Sequence, residues 1–410
     1  MLVNTNKKTS ITIFATLLAC AATTVAQSTP PVPKTIYNAG GTGDGAVPYS
    51  ISVMGNTVYS GTKVGGSSGF GAVIKLNPPT SVGGAWTDTV IYSFPVCCEE
   101  DNWDPKVMAG EDGNVYVITG YGTIFALMPP ASPGGAWTPT TTYQFASENN
   151  GDDPAALVEK GGVVYGVATG GNGTVFALVP PASPDGAWTE ATLYAFMGGH
   201  DGAQPNSLVM GAHGVIYGTT FAGGVEGLGT VFSLAPPSSP GGAWTEKVIW
   251  TLDGGIDPAD PMGIALGGDG VLYGASAQGG VVDSDCGVLG CGTVFALTPP
   301  AAPGGLWNES TLYSFTGGFD GRNPIAGVTI ANDGSLWGLT SSSNPPTVVF
   351  SLTPPITSGD PWTFALHYAP NLADGYQPIP GLVKGRNGIL YGADAAGGSF
   401  GGGTIYSVHP

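Results

Sequence analysis

Apolar residues along the chain come in short runs of five to nine positions, rich in β-branched and aromatic side chains. Turn-forming residues, mainly Gly, Pro, Asn and Asp, bound each run. Runs of this length and composition predict β-strands, because a typical helix needs a longer amphipathic stretch. One run, "GTVFALTPP" at Gly292–Pro300, recurs with small changes at Gly122, Gly173 and Gly229. The chain is therefore predicted to be all-β and built from internal repeats.

Four strand types recur in a fixed order and define one repeat unit. The first follows a proline, as in "PNSLVMG", and the second contains an aromatic residue before glycine, as in "VIYGT". The third is the "GTVFAL" run, and the fourth resembles "TLYSF". Pairs such as Asp269–Gly270 lie between the first two strands and suit a tight hairpin. A tryptophan precedes the fourth strand, with spacings of 51, 51, 56, 63 and 55 residues between Trp86, Trp137, Trp188, Trp244, Trp307 and Trp362.

Seven such units predict a seven-bladed β-propeller of four-stranded antiparallel blades over residues 34–410. The last unit ends at its third strand, "GTIYSV", whereas an isolated copy of the fourth strand, "KTIYNAG", begins at Lys34. We therefore expect the N-terminal strand to complete the seventh blade and to remove an open sheet edge. The repeated tryptophans are interpreted as blade-packing residues, because each complete copy of the repeat has one.

The amino-acid composition agrees with a repeated β-structure and indicates an acidic surface. The 69 glycines and 35 prolines act as turn residues of the repeat rather than as signs of disorder. The formal net charge of −18 repels phosphate backbones and anionic headgroups, which argues against nucleic-acid binding and against adhesion to anionic membranes. No membrane insertion is expected apart from a lipid anchor at Cys20. The chain is expected to act as a monomer.

Residues 1–26 have the features of an export signal, with a basic start and a short apolar stretch. Two interpretations are open. In the first, cleavage occurs before Gln27, and residues 27–33 form a linker. In the second, "LLAC" is a lipobox, the leader ends before Cys20, and lipidated Cys20 anchors the protein. Both interpretations predict a periplasmic, secreted or cell-surface protein.

Cysteine spacing predicts one disulfide. In an exported protein, Cys286 and Cys291 are expected to pair and close the loop "CGVLGC". The adjacent Cys97 and Cys98 leave three alternatives open, namely a vicinal disulfide, free thiols or pairing elsewhere.

The segment Gly218–Leu234, "GTTFAGGVEGLGTVFSL", and the weaker form at Gly392–Val408 resemble the GloVer-type tandem repeat of exported bacterial proteins. The resemblance covers essentially residues 34–410. It implies a secreted or cell-surface propeller-like protein, and it supplies no catalytic residues.

One face of the predicted propeller carries the connections from fourth to first strands and from second to third strands, which vary among the repeats. Variable loops on a regular scaffold commonly bind ligands. Four positions before each inner-strand proline, the sequence has Asp44, Asp101, Asn150, Asp201, Asp257, Asp320 and Asp374. These residues predict an acidic ring at the channel mouth. The ring either attracts cations or consists of side chains that each cap their own turn.

Departures from the repeat identify candidate ligand-binding residues. Glu99, Glu100 and Trp103 replace a glycine-rich turn. A tryptophan beside carboxylates can stack on a sugar ring, and the alternative is a tryptophan packed beneath a stiffened loop. His200 and Arg322 occupy equivalent variable loops in other blades and are further candidates.

The long loop of the fifth blade contains Asp283 and Asp285, which have the alternate spacing of calcium ligands. The complete calcium-loop motif is absent from the sequence, so the alternative is an ordinary polar loop. The protein is expected to require no cofactor, with calcium as the one candidate. This loop is expected nearly opposite Trp103, so that the two loops would flank one cleft.

No motif of a serine hydrolase, a zinc protease or a phosphate-binding loop is present in the sequence. The sequence therefore predicts a non-catalytic scaffold that binds a small molecule, glycan or partner protein through its variable face. Two alternatives stay open. One is a carbohydrate-active hydrolase or lyase with acids at the channel mouth, and the other is a structural component of the cell envelope.

Overall fold

The repeated apolar runs form antiparallel strands, and most strands pair with the next strand along the chain. The structure, a computed structural model, describes residues 32–40, 43–81, 83–95, 104–145, 153–239, 241–302, 304–343, 346–357, 359–368 and 375–410. All of these residues belong to one unit, Pro31–Pro410. No helix in these ranges is long and apolar enough to cross a membrane.

Seven antiparallel sheets form the blades of a β-propeller. Blade 1 contains β2 (Gly45–Met54), β3 (Thr57–Gly65), β4 (Ala72–Asn77) and β5 (Thr87–Ser93), and blade 2 contains β6 (Lys106–Ala109), β7 (Val115–Thr119), β8 (Thr123–Met128), β9 (Thr138–Pro139) and β10 (Tyr143–Gln144). Blade 3 contains β11 (Pro154–Lys160), β12 (Val163–Ala168), β13 (Thr174–Val179) and β14 (Thr189–Ala195), and blade 4 contains β15 (Ala203–Met210), β16 (Ile216–Ala222), β17 (Thr230–Ala235) and β18 (Thr245–Thr251).

The remaining blades follow the same order. Blade 5 contains β19 (Ala259–Leu266), β20 (Leu272–Gln278), β21 (Thr293–Thr298) and β22 (Asn308–Ser314), and blade 6 contains β23 (Arg322–Pro324), β24 (Thr329–Ile330), β25 (Leu336–Ser343), β26 (Pro346–Thr353) and β27 (Thr363–Tyr368). Blade 7 contains β28 (Tyr376–Pro378), β29 (Val383–Lys384), β30 (Leu390–Ala396) and β31 (Thr404–Val408), joined by β1 (Lys34–Asn38). Short 3-10 turns lie at Gly120–Gly122, Gly199–Asp201 and Ala212–Gly214.

The predicted all-β, seven-bladed architecture with four-stranded antiparallel blades is confirmed, although three blades have an interrupted strand. The outer strand of blade 2 is split into β9 and β10, and the inner strands of blades 6 and 7 are split in the same way. In the last sheet, β1 pairs antiparallel with β31, with Lys34 opposite Ser407 and Thr35 opposite Tyr406.

The hydrophobic core lies between neighbouring blades. Val58 and Ile74 of blade 1, for example, share a cluster with Tyr391 and Ile405 of blade 7. Burial of such side chains supplies about 1.5–3 kcal/mol each. The repeat tryptophan joins these interfaces by packing edge-on against the second-strand tyrosine of the preceding blade. Ring centroids are 6.1 Å apart for Trp137 and Tyr59, and 6.5 Å apart for Trp244 and Tyr165.

A glycine of one blade contacts the proline that begins the inner strand of the next blade at four inner strands, those that contain Pro48, Pro205, Pro261 and Pro324. Gly173 has a φ of +91°, and a Cβ there would lie 2.2 Å from Cδ of Pro205 in the next blade. Gln204, before that proline, has a φ of 56° and donates its N–H to the Asn172 carbonyl at 2.8 Å. Equivalent backbone bonds are donated by Val47, Asp260 and Asn323.

Candidate functional site

A cavity of about 360 Å³ lies at the end of the channel where the inner strands of blades 1, 2 and 3 begin. We call it the mouth cavity. Tyr49 lines it from β2 and Lys106 from β6, each directly after an inner-strand proline. Asp104 and Asp153 line it from the positions directly before Pro105 and Pro154. The remaining wall is formed by Ile118, Thr119 and Gly120.

Asp104 is neutralised within this site by a lysine of blade 1. Lys63 Nζ lies 2.5 Å from Asp104 Oδ1, and the same ammonium lies 4.4 Å from the centroid of the Tyr49 ring. Both contacts hold Lys63 beside the wall, since a cation is attracted by a carboxylate and by an aromatic face. Burial, and then the negative charge of Asp104, raise the pKa of Tyr49 above its ordinary value. Its hydroxyl therefore stays protonated at neutral pH and can donate a hydrogen bond.

Lys106 is the second cation of the mouth cavity, and it has no ion-pair partner among the described residues. Its Nζ donates a long hydrogen bond, of 3.4 Å, to the Pro154 carbonyl. Asp153 is exposed, and its Oδ2 accepts a hydrogen bond from Thr169 Oγ1 at 3.3 Å. An ammonium without a carboxylate partner in a concave site is available to a ligand.

A second cavity of about 550 Å³ adjoins the first, and we call it the channel cavity. Tyr49, Lys106 and Ile118 line both cavities. The other walls come from the inner strands of blades 1, 2 and 3 and from Pro380 of blade 7: Ser50, Ile51, Ser52, Val107, Met108, Ala155, Ala156, Leu157 and Pro380. The site thus passes from a charged opening to a largely apolar interior.

Three aspartates of the predicted acidic ring form hydrogen bonds within their own turns. Asp44, Asp201 and Asp320 each accept a hydrogen bond from the tyrosine hydroxyl seven positions earlier, at 2.7, 3.1 and 3.0 Å. Turn amides add bonds of 2.9 Å to Asp201 and 2.8 Å to Asp320. The residue seven positions before Asp257 is Trp250, which has no hydroxyl to donate. None of these four aspartates lines the mouth or channel cavity.

Among the carboxyl groups elsewhere, the half-buried Glu246 and the buried Asp394 have the most strongly raised pKa values. Burial, and then the charge of Asp201, raise the pKa of Glu246 to about 7, while a hydrogen bond with Tyr194 opposes the shift. Burial raises the pKa of Asp394 to about 7, opposed by the hydrogen bond from Thr404 Oγ1 at 3.0 Å. Both groups lie between strands rather than in the two cavities, so they bear on stability.

The long loop of blade 5 contains the predicted disulfide between Cys286 and Cys291. Arg322 Nη1 donates to the Asp285 carbonyl at 3.2 Å, so the structure brings Arg322 to this loop. Asp283 Oδ1 accepts the N–H groups of Asp285 and Cys286, both at 2.9 Å, and caps the turn. His200 is exposed on its 3-10 turn.

Within the described ranges, no group of three His, Cys, Asp or Glu side chains is arranged to hold a metal ion. The calcium site at Asp283 and Asp285 stays a prediction.

Several predicted residues lie outside the described part of the chain. They are Cys20, Cys97, Cys98, Glu99, Glu100, Asp101, Trp103, Asn150 and Asp374. Trp103 directly precedes Asp104 in the sequence. The assignments made for these residues stay predictions.

The sequence contains a further signal for the mouth cavity. The position directly after the inner-strand proline holds Tyr49, Lys106, Ala155, Asn206, Met262, Ile325 and Ile379 in the seven repeats. Lys106 is the one cation in this series. A comparison of the seven repeats at this position identifies Lys106, because a cation there replaces the uncharged residue of the other six repeats.

These features define a seven-bladed β-propeller with a charged cavity at one end of its channel. A family model described as the Gloeobacter/Verrucomicrobia repeat matches residues 121–344. This is more than half of the chain, and the chain belongs to that family, as the resemblance in the sequence had indicated. Among curated proteins, none matches the chain.

Solved structures with low sequence identity share the fold. The extracellular domain of a hybrid two-component system from B. thetaiotaomicron is 12% identical with a TM-score of 0.59, and the match covers 93% of this chain but 42% of that one. The Cps50 (Swd1) β-propeller domain of Myceliophteria thermophila is 9% identical with a TM-score of 0.53, covering 93% and 100%. YCF48 from Cyanidioschyzon merolae is 12% identical with a TM-score of 0.51, covering 92% and 99%. At these identities the likeness concerns the fold alone.

Proposed function

We propose that the protein is an exported, non-catalytic binding protein that takes a small-molecule or glycan ligand at the mouth cavity. The observation that carries this proposal is the convergence of Tyr49, Asp104, Lys106 and Asp153 from three blades on one cavity. Its volume of about 360 Å³ suits a small ligand or one sugar unit rather than a folded partner. The face concerned is the one on which the repeats differ most.

Export is part of the same proposal. The disulfide between Cys286 and Cys291 supports it, because such bonds persist in oxidising compartments. The export signal expected at residues 1–26 agrees with it. The similar structure from B. thetaiotaomicron is the extracellular domain of a two-component system, and this chain shares the fold with it.

A carbohydrate-active hydrolase is the competing function, because two carboxylates, Asp104 and Asp153, line one cavity. Glycoside hydrolysis needs one carboxylic acid that donates a proton and one carboxylate. Asp104 is ion-paired with Lys63, and Asp153 is exposed to water. Neither carboxylate lies in the buried, apolar pocket in which a catalytic acid is commonly held. Binding without turnover is therefore the better-supported function.

The test is a screen of mono- and oligosaccharides and small metabolites by thermal shift, followed by calorimetry of the hits. Asp153→Trp should abolish binding, because an indole at this exposed lining position obstructs the cavity without disturbing the core. Asp185→Trp is the matched control, since Asp185 is exposed in a proline-rich connection away from both cavities. A hit whose affinity is unchanged by Asp153→Trp would contradict the proposed site, and turnover of a hit would contradict the non-catalytic assignment.

A further inference from the structure

The mouth cavity and the channel cavity differ in chemistry although they adjoin. The mouth cavity contains charged groups of both signs, whereas the channel cavity is walled mainly by Ile51, Val107, Met108 and Leu157. Tyr49 and Lys106 stand at the boundary, because they line both spaces. A ligand that fills both must therefore carry one polar end and one apolar end.

The two serines of the channel wall add little polarity, because their hydroxyl oxygens bind backbone of the neighbouring blade. Ser50 Oγ donates to the Pro105 carbonyl at 2.7 Å and accepts the N–H of Val107 at 2.9 Å. Ser52 Oγ accepts the N–H of Ala109 at 2.9 Å. A ligand hydroxyl in this space would exchange its contacts with water for few polar partners, which costs free energy. The channel cavity therefore favours an apolar group.

The ion pairs of the mouth cavity indicate which charge the polar end of the ligand carries. Asp104 already has Lys63 as its partner, whereas Lys106 has none among the described residues. Asp153 is exposed, so water and salt weaken its repulsion of an incoming anion. Lys106 is partly buried, and an anion beside it gains a charge-assisted hydrogen bond.

We infer that the ligand is an amphipathic carboxylate, whose carboxylate binds the Lys106 ammonium and whose apolar body enters the channel cavity. This inference rests on the proposed function and names the ligand class for the same site. A sugar acid has the required charge but a hydroxylated body, and an alkyl or aryl alcohol has the body without the charge. Neither satisfies both cavities.

Calorimetry with 4-phenylbutyrate, 4-phenylbutanol and glucuronate separates the two requirements. The carboxylate should bind at least about tenfold more tightly than the alcohol, since the charged hydrogen bond is made by the acid alone. Glucuronate should bind more weakly than 4-phenylbutyrate because its body carries hydroxyls. Lys106→Met should remove the preference for acid over alcohol, whereas Lys106→Arg should retain it. Ala156→Leu adds side-chain volume to the wall of the channel cavity, so the affinity for both aryl ligands should fall at least about tenfold.

Lys160→Met is the matched control, because Lys160 is an exposed inner-strand lysine paired with Glu111 away from both cavities. It should leave all affinities unchanged, and melting temperatures verify that each variant folds. Equal affinities for acid and alcohol, or an acid preference that survives Lys106→Met, would overturn the inference. If neutral glycans bind and Asp153→Trp abolishes that binding while 4-phenylbutyrate does not bind, the inference fails and the proposed function stands. If neither glycans nor these probes bind, both fail.

Discussion

At the scale of single residues, the aspartate in three of the four described turns into an inner strand accepts a hydrogen bond from the tyrosine hydroxyl seven positions earlier. The Tyr37–Asp44 and Tyr194–Asp201 pairs recur around the ring with hydroxyl-to-carboxylate distances of 2.7 and 3.1 Å. Sequence regularity identified the aspartates and offered turn capping as one explanation. The tyrosine partners were not connected with them, because each tyrosine had been interpreted only as part of an apolar strand.

Asp320→Ala should destabilise the protein by about 2–3 kcal/mol, measured by urea unfolding. Asp320 is 6% exposed and accepts three hydrogen bonds, from the Tyr313 hydroxyl and from the backbone and hydroxyl of Thr316. The matched control is Asp257→Ala. Asp257 is exposed, and the residue seven positions before it is Trp250 rather than a tyrosine. The control should lose under about 1 kcal/mol. Equal losses in both variants would show that the tyrosine bond contributes nothing.

Asp394→Thr should stabilise the protein at alkaline pH. Asp394 is fully buried and occupies the position where other blades have Thr62, Thr220 or Thr340. Its pKa of about 7 lies above that of an unfolded aspartate, so its protonated form supports folding at low pH, and this support is lost as the pH rises to 7. The gain from Asp394→Thr should be about 2 kcal/mol larger at pH 8 than at pH 5.5, measured by urea unfolding.

The control for this experiment is Asp394→Asn, which keeps the shape of the side chain and removes its titration. Its stability relative to the original protein should follow the same pH dependence as that of Asp394→Thr. A gain that does not change between pH 5.5 and pH 8 would mean that Asp394 is charged throughout this range.

At the scale of elements, the contact between a loop glycine and the next proline joins one blade to the following blade. The repeated phrase "GTVFAL" keeps its glycine because the proline ring of the next blade lies where a Cβ would be, as with Gly292 and Pro324. The sequence showed the glycine and the proline as separate turn signals. Their contact crosses a blade boundary, so a strand-by-strand interpretation could not pair them.

Gly173→Ala should cost at least about 3 kcal/mol, because alanine adds both a clash and a disfavoured backbone conformation. Its Cβ would lie 2.2 Å from Pro205 Cδ, at a φ of +91°. Gly171→Ala, in the same loop, is the matched control, because Gly171 has a φ of +64° and nothing within 4 Å of the added Cβ. The control should cost about 1 kcal/mol. Thermal and urea unfolding of both variants give the comparison, and equal costs would rule out the interblade contact as the cause.

At the scale of the whole molecule, the sequence predicted the architecture well because each blade repeats the same strand pattern. The same regularity made the functional site harder to find. The mouth cavity depends on Lys63, Asp104, Lys106 and Asp153, which come from three blades and from no single motif. Their proximity follows from the ring arrangement, whereas the candidates chosen from irregular loops include Trp103, which lies outside the described residues, and Arg322, which bonds to the disulfide loop.

The proposed function depends on the asymmetric distribution of charge around the channel. The chain has only 11 Lys and Arg residues against 29 Asp and Glu residues, yet Lys63 and Lys106 both stand at the mouth cavity. The net charge of −18 repels anions in general, whereas the Lys106 ammonium, which has no ion-pair partner among the described residues, would attract an anion locally under the proposed function.

The small number of lysines permits a direct measurement of the binding site. Lysines methylated with carbon-13 give one resolved NMR signal each, assigned by Lys→Arg variants, and ligands from the calorimetric screens are then titrated. As ligand is added, the chemical shift of Lys106 should change and then saturate, with the same Kd as in calorimetry. The chemical shift of Lys63 should change less, and the signals of Lys160, Lys247 and Lys384 should stay unchanged. A ligand that binds by calorimetry without moving the Lys106 signal, or that moves Lys247 or Lys384 instead, would contradict the assignment of the mouth cavity as the binding site.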